Sequence, residues 1–193
     1  MPGYQSTLVE AQIDGTAFST STAETSILPV VCKIVLPAGY INRIGKRFVV
    51  RASGRVSNMN PTPGTLTLRF KLGPTANIAV ATSQAISLNA TAAKTNVGWF
   101  LDLGLTVRAI GTGTTATIMA QGTWQSEAVV GSGIPTAGGA GSAMWQASAP
   151  AVGTGFDSGV ANQIDLTAQF STSNAANGMQ LHTFALEDLT TTP

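Results

Sequence analysis

The stretch TLTLRFKL, residues Thr65–Leu72, alternates apolar and polar side chains along its whole length. Leu66, Leu68, Phe70 and Leu72 share one parity, and threonines and basic residues share the other. Successive side chains of a strand point to opposite faces, so a period of two marks a strand with one buried face. The stretch therefore predicts a half-buried β-strand, and helical periodicity is nearly absent from the chain.

The same alternation recurs between turn signals rich in Gly and Pro, as expected of an all-β domain. It places Trp99 and Trp124 on inward faces. We expect about nine strands, at 30–36, 46–57, 65–72, 78–81, 85–88, 99–107, 115–125, 164–170 and 179–189. The economical architecture is an antiparallel β-sandwich of jelly-roll type, occupying residues 30–193.

The composition of the 193 residues restricts the class of protein further. Charged residues are 10% of the chain, against a usual ~25%, whereas Ala 27, Thr 26, Gly 21 and Ser 15 supply 89 residues. Hydrophobic residues at 44% exclude a disordered chain, and the scarcity of charge excludes a coiled coil. No apolar run approaches the ~20 residues of a membrane helix, and no secretory signal opens the chain. We expect a protein made and used without export or a membrane.

The charges are unevenly distributed along the chain. Residues 1–24 carry −3, residues 25–101 carry +9 without an acid, and residues 102–193 carry −5. Two explanations remain open, namely mutual compensation within or between subunits and a basic docking face. Strand parity points several basic side chains outward as candidate protein-interface residues, and these are Arg51, Arg55, Arg69 and Lys71. Nucleic acid is disfavoured as a partner, because Phe48 and Phe70 on the same strands point inward and cannot stack on bases.

Two stretches do not follow the strand rhythm. Residues 1–29 are polar and sparsely apolar, which predicts an extended N-terminal arm that orders only against something else. Residues 128–160 hold eight glycines and one charge, which predicts a long Gly-rich loop. The loop carries Met144, Trp145 and Phe156, apolar side chains that a flexible linker does not need. Contact with a neighbouring subunit is the preferred explanation, and folding back onto the chain's own sandwich is the alternative.

The sequence offers no constellation for catalysis, cofactor binding or a metal. His182 is the one histidine and reads as a surface or partly satisfied strand residue, and Cys32 reads as a small buried hydrophobe. Residues 111–116 match the G-x-G-x-x-A dinucleotide fingerprint, but the strand predicted at 115–125 follows where a helix is required. A hairpin turn explains that match. We therefore expect no enzyme and no cofactor.

Three segments carry a resemblance to a known class of proteins. PGTLTLRFKLG at 63–73, LTVRAIGTGTTATIMAQGTWQSE at 105–127, and 147–189 with its GTGFDSG and LHTFALEDL resemble uncharacterised virion structural proteins of tailed bacteriophages. The resemblance implies a non-enzymatic component of the virion with a β-sandwich. We expect a head decoration protein that binds the major capsid protein as a small symmetric homo-oligomer, such as a trimer. The alternative is a neck, tail, baseplate or fibre component with a host-glycan-binding role, which exposure of Trp99, Trp124 or Trp145 would favour.

Overall fold

The computed structural model describes residues 6–129, 141–146 and 151–189 of the chain. These ranges contain fourteen strands and a single 3-10 helix, Val30–Cys32. No helix in the described residues is long and apolar enough to cross a membrane. The strands are β1 (Ser6–Glu10), β2 (Phe18–Ser19), β3 (Thr25–Ser26), β4 (Val35–Leu36), β5 (Arg47–Asn58), β6 (Thr65–Leu72), β7 (Ile78–Thr82), β8 (Ile86–Ser87), β9 (Lys94–Ala109), β10 (Thr117–Ser126), β11 (Gly141–Trp145), β12 (Asn162–Gln163), β13 (Asp165–Phe170) and β14 (Gly178–Asp188).

The strands form two main sheets, and every strand pair that the structure describes is antiparallel. The seven-stranded sheet has the order β1-β14-β5-β9-β10-β11, with β2 also on β14. The five-stranded sheet has the order β3-β13-β6-β7, with β8 also on β6, and β12 pairs with β4 separately. The predicted all-β, antiparallel fold is confirmed. The jelly-roll connectivity is not, because β9, β10 and β11 follow one another as a meander within one sheet.

The core lies between the inner faces of the two sheets. Phe48 of β5 and Leu186 of β14 line a small apolar cavity together with Phe70 and Leu72 of β6, so the sheets face each other. The predicted inward side chains of β5, β6, β9 and β10 are buried, including both Trp99 and Trp124, and only Gly54 and Gly122 are half-buried. Their indole rings stack with centroids 6.4 Å apart. Burial of such large apolar side chains supplies the main driving force for folding.

Val49 is the exception to the alternation in β5. Parity places it on the outer face, yet only 5% of it is exposed. Its cross-strand neighbours are Glu187 and Gly104, and Arg47 Nη2 lies 3.7 Å from the position that a Cβ on Gly104 would occupy. Long charged side chains can cover apolar surface with their stems. Gly104 has no side chain of its own, so the side chains of Arg47 and Glu187 have room to cover Val49.

The expected N-terminal arm is not confirmed. In the part of residues 1–29 that the structure describes, β1 and β2 pair with β14 and β3 pairs with β13, while Ile27 and Leu28 are buried in the core. The chain approaches itself closely there, since a Cβ on Gly15 would lie 1.9 Å from Ile27 O. Strands of two residues leave no periodicity to detect, which is why the sequence pattern suggested an arm. The described residues before position 30 therefore pair with the same two sheets as the rest of the chain.

The expected long Gly-rich loop at 128–160 is not confirmed either. Residues 130–140 and 147–150 of this stretch lie outside the described residues. Within 128–160, β11 adds a strand to β10, and single bridges join Phe156 to Ala116 and Val152 to Met119. A Cβ on Gly153 would lie 1.7 Å from Val80 O. Glycine here allows the chain to run directly against a neighbouring backbone, rather than making it flexible.

The predicted strand 30–36 is a 3-10 helix followed by the two-residue strand β4. Cys32 N donates to Pro29 O at 2.9 Å and Lys33 N donates to Val30 O at 3.1 Å, which closes the helical turn. Cys32 itself is fully buried, as predicted, and burial raises the pKa of its thiol. The thiol is therefore a core group and not a reactive one.

Candidate interaction surfaces

The outer face of the seven-stranded sheet carries two adjacent rows of side chains. The register aligns residues across β5, β9, β10 and β11, and successive rows lie two residues apart. The rows are Arg51, Asp102, Thr123 and Met144, and Ser53, Phe100, Gln125 and Ser142. Phe100 and Met144 are each 63% exposed, although both are large and apolar. This face therefore combines polar groups with uncovered apolar ones.

A shallow cleft of about 490 Å³ opens on this face, and we call it the Phe100 cleft. Its lining consists of side chains from four neighbouring strands. They are Arg51, Ala52, Ser53, Phe100, Leu101, Asp102, Thr123, Gln125 and Thr183. Small-molecule sites typically enclose about 300–1,000 Å³ and combine an apolar surface with a few fixed polar groups. The cleft has both features.

Arg51 is held at the edge of the cleft by two carboxylates. Its Nη1 donates to Glu187 Oε2 at 3.0 Å and to Oε1 at 3.1 Å, and its Nε lies 3.7 Å from Asp102 Oδ2. Glu187 is largely covered, whereas the side chain of Asp102 is 65% exposed. Exposed ion pairs contribute only about 0–1 kcal/mol to stability, so the main effect of this arrangement is to orient Arg51.

Several polar groups of the cleft keep hydrogen-bonding capacity. Ser53 and Thr183 hydroxyls contact each other at 2.6 Å. The side chains of Thr123 and Gln125 make no hydrogen bond to any part of the chain that the structure describes. The one polar partner of Asp102 among the described residues is Arg51 Nε, at 3.7 Å. Acceptors and donors for a ligand are thus present together around the Phe100 ring.

Arg69 and Lys71 lie away from this face, because β6 belongs to the other sheet. Lys71 Nζ is 2.9 Å from Glu24 Oε1, and Arg69 Nη1 is 3.4 Å from Glu24 Oε2. Burial tends to raise the pKa of Glu24, but hydrogen bonds from Thr167 and Lys71 and the two cationic charges outweigh it and hold the pKa below its ordinary value. Arg69 and Lys71 therefore lie on a different sheet from Arg51 and Arg55.

The acid-free basic segment is compensated within the chain. Five of its cations lie within 3.2 Å of an acid contributed by residues outside 25–101. The pairs are Lys33–Asp165, Lys46–Asp188, Arg51–Glu187, Lys71–Glu24 and Lys94–Glu127. Arg55 instead donates from Nη2 to Gln180 Oε1 at 2.7 Å. Of the two explanations for the uneven charge, mutual compensation accounts for these residues.

The three apolar residues predicted to contact a neighbouring subunit have different environments. Met144 is 63% exposed, whereas Trp145 is 2% and Phe156 is 0% exposed. Trp145 and Met144 are adjacent in β11 and face opposite sides, and Phe156 is bridged to Ala116 above the core. Trp145 and Phe156 thus fold back onto the chain's own sandwich and offer no surface to a partner. That corrects the interface prediction for these two residues.

A second exposed apolar surface lies beside the start of β13, and we call it the valine patch. It consists of Val30, Val31 and Val35, which are 82%, 63% and 55% exposed. The buried Cys32 and Leu36 anchor the segment from the core side. Val30 and Val31 lie on the 3-10 turn and Val35 lies on β4, so three uncovered apolar side chains fall within six residues. Exposed apolar side chains grouped in this way are a candidate contact site.

His182 lies at a β-bulge of β14, where the register with β5 shifts between Leu181 and Thr183. Its Nδ1 is 2.9 Å from Asp14 Oδ1, and the two side chains are 36% and 57% exposed. The interpretation of His182 as a partly satisfied strand residue is confirmed. The described residues hold no group of three or more His, Cys, Asp or Glu side chains placed to bind a metal.

The G-x-G-x-x-A segment at 111–116 connects β9 to β10, as expected of a hairpin turn. Gly113 N donates to Asp157 Oδ2 at 2.8 Å, and Gly159 N donates to Asp157 Oδ1 at 2.7 Å. These backbone donors lower the pKa of Asp157. The carboxylate therefore fastens the hairpin to the segment that follows β11.

Phe100 is the functional candidate that sequence reasoning did not identify. The parity that places Trp99 and Leu101 inward requires Phe100 and Asp102 to point outward, so the signal was present in the alternation. What the alternation lacks is the register, which sets Phe100 beside Ser53 and Gln125. Comparisons with protein-family models, curated proteins and solved structures give no match to this chain.

Proposed function

We propose that this protein is a non-enzymatic structural component of a tailed-bacteriophage virion. Within the virion we place it on the head, as a decoration protein that binds the outer capsid surface as a small symmetric oligomer. The proposal rests on the sequence resemblance and on one structural observation, which is the valine patch.

The valine patch supports a protein partner because of its chemistry. Covering one exposed valine completely contributes about 1.5 kcal/mol or more, so three of them favour a stable contact with an apolar surface. The nearby Lys33 Nζ is already paired with Asp165 Oδ2 at 3.2 Å and does not oppose such contact. We assign the capsid subunit to this patch.

The edge of the seven-stranded sheet supports self-association. Among the described residues no strand lies beside the free edge of β11, and Met144 projects from that strand with 63% of its surface exposed. Unpaired edge strands accept a further strand readily. We assign contacts between copies of the chain to this edge.

The mechanism in this proposal is mechanical. A protein that binds the assembled shell but not the dissociated subunits stabilises the shell by mass action. Virions stripped of the protein should lose infectivity at a lower temperature than intact virions, and should also lose it at low salt. Adding the purified protein back should restore resistance to heat and to low salt. Survival of stripped virions equal to that of intact ones would rule out the cementing role.

The variant that tests the patch is the double substitution Val30→Ser and Val31→Ser. It should fail to rebind stripped virions, because it replaces the apolar contact with hydroxyls that prefer water. Ile13→Ser is the matched control, since Ile13 is 58% exposed in the N-terminal segment. Equal rebinding by both variants would remove the valine patch from the proposal.

The second candidate is a neck, tail, baseplate or fibre component that binds a host glycan. The sign expected for it, an exposed tryptophan, is absent, because Trp99, Trp124 and Trp145 are all buried. The Phe100 cleft is the observation in its favour. Imaging of virions with a tagged copy of the protein distinguishes head from tail directly.

A further inference from the structure

The Phe100 cleft combines one exposed aromatic ring with a set of polar side chains of mixed type. Phe100 lines the cleft and is 63% exposed, so its flat apolar ring is accessible to a ligand. Asp102 can only accept hydrogen bonds, Arg51 can only donate them, and Gln125 can do both. A ligand for this cleft needs one flat C–H face and several hydroxyl groups around its rim.

From this geometry we infer that the Phe100 cleft binds a neutral hexopyranose unit of a larger glycan. A pyranose ring has an apolar face that packs on an aromatic ring, and its hydroxyls both donate and accept. Phe100 stacks on the ring of the sugar. Asp102 and Gln125 bind its hydroxyls, and Arg51 donates from the side held by Glu187.

The charges at the cleft select against anionic ligands. Arg51 is the nearest cation, and its guanidinium already contacts Glu187 at 3.0 Å and lies 3.7 Å from Asp102. One positive and two negative charges therefore surround the site, so a sulfate, phosphate or sialic acid carboxylate meets net repulsion. A hydroxyl, by contrast, finds an acceptor in Asp102, a carboxylate that is 65% exposed and has the Arg51 nitrogen at 3.7 Å as its partner.

Single-stranded nucleic acid fits the cleft less well. Such binders need a basic groove and several stacking aromatics, and Phe100 is the one exposed aromatic side chain of the described part of this sheet face. The volume of about 490 Å³ holds a small ligand unit, not a run of stacked bases.

The cleft does not depend on where the protein sits in the virion. It lies on β5, β9, β10 and β14, whereas the valine patch lies on the 3-10 helix and β4. A protein on the head or on the tail could present it to a cell surface. Failure of sugar binding would leave the particle-stability proposal intact, because that proposal is tested with different residues and a different measurement.

The experiment is saturation-transfer NMR on the full-length protein. The probes are neutral trisaccharides of glucose, galactose and mannose, a sialylated trisaccharide, and a deoxythymidine oligonucleotide. We expect at least one neutral trisaccharide to bind, with Kd of about 1 mM, and to receive saturation on one ring face. Phe100→Ala should weaken binding about tenfold or more through loss of stacking.

Two further variants keep the test decisive if Phe100→Ala fails to fold. Asp102→Asn and Gln125→Ala remove hydrogen-bonding groups from exposed side chains, and each should weaken binding several-fold while the melting temperature stays unchanged. Ile13→Ser is the control and should bind as the unaltered protein does. The inference is overturned if no neutral trisaccharide binds, if the sialylated sugar or the oligonucleotide binds more tightly, or if all variants bind equally.

Discussion

Lys46 Nζ lies 3.1 Å from Asp188 Oδ2, and each of these side chains is only 9% exposed. The same ammonium donates to Tyr40 O at 2.9 Å and lies 3.7 Å from the centroid of the Tyr40 ring. Tyr40 OH in turn donates to Asp188 Oδ2 at 2.8 Å. The end of β14 is thereby fixed to the segment that leads into β5.

Removing one member of this ion pair should destabilise the protein strongly. Asp188→Asn leaves the Lys46 ammonium buried without its counter-charge, and breaking a buried pair typically costs about 3–5 kcal/mol. The double variant Lys46→Met and Asp188→Leu should recover much of that loss, because it leaves no buried charge. Urea unfolding measures both, and a single variant as stable as the unaltered protein contradicts the expectation.

The titration of Tyr40 should report the same cluster. Burial, the hydrogen bond to Asp188 and the charge of that carboxylate raise the pKa of Tyr40 to about 12 from an ordinary 10. The raised pKa means that stability from this group is complete below pH ~10 and is lost as the pH rises towards ~12. Ultraviolet titration should show this phenol, and Tyr40→Phe identifies its signal because only Tyr4 then remains. Asp188→Asn should lower the midpoint, and an unchanged midpoint would exclude Asp188 as a cause.

The two stacked tryptophans should respond differently to the same substitution. Trp99 Nε1 donates to Arg55 O and Gln180 O, both at 3.2 Å, whereas Trp124 Nε1 has no partner among the described residues. Trp99→Phe leaves two acceptors without their donor, so it should cost about 1–2 kcal/mol more than Trp124→Phe. Denaturant unfolding of the matched pair tests this, and equal losses would show that the hydrogen bonds contribute little.

Gly15→Ala should destabilise the sandwich by about 1–3 kcal/mol or more, because a Cβ there would collide with Ile27 O at 1.9 Å. Gly98→Ala is the control, since its Cβ would meet nothing closer than Phe100 Cε2 at 4.0 Å. Thermal unfolding should separate the two variants clearly. If Gly15→Ala has the same melting temperature as Gly98→Ala and the unaltered protein, residues 6–29 do not pack as described.

Glu24 should contribute stability that depends on pH. Its pKa is lowered in the folded state, so the contribution is present above the ordinary value of 4.5 and is lost as the pH falls through the folded pKa below it. The melting temperature of Glu24→Gln should therefore lie below that of the unaltered protein at pH 7, and the two should converge as the pH falls below the folded pKa of Glu24. A difference that persists at low pH would mean that the substitution acts through packing.

Alternation of apolar and polar residues is enough to establish the class of the fold and the side of each long strand that faces the core. Alternation in Thr65–Leu72, and around Trp99 and Trp124, requires no tertiary information, because the period of two follows from the geometry of one strand. The same rule assigned Trp145 no side, since its short strand β11 lay in a glycine-rich stretch without visible periodicity.

Which strands are neighbours, and therefore which side chains meet, is visible in the folded chain and not in its local pattern. Arg51 and Lys71 have the same parity in the sequence, but one pairs with Glu187 and the other with Glu24, on different sheets. Strand pairing over separations of 47 and 130 residues also places Ser53 beside Phe100 and Thr183 around one cleft. Local periodicity cannot encode such contacts, because they depend on register and sheet order, which the packing of the whole core selects.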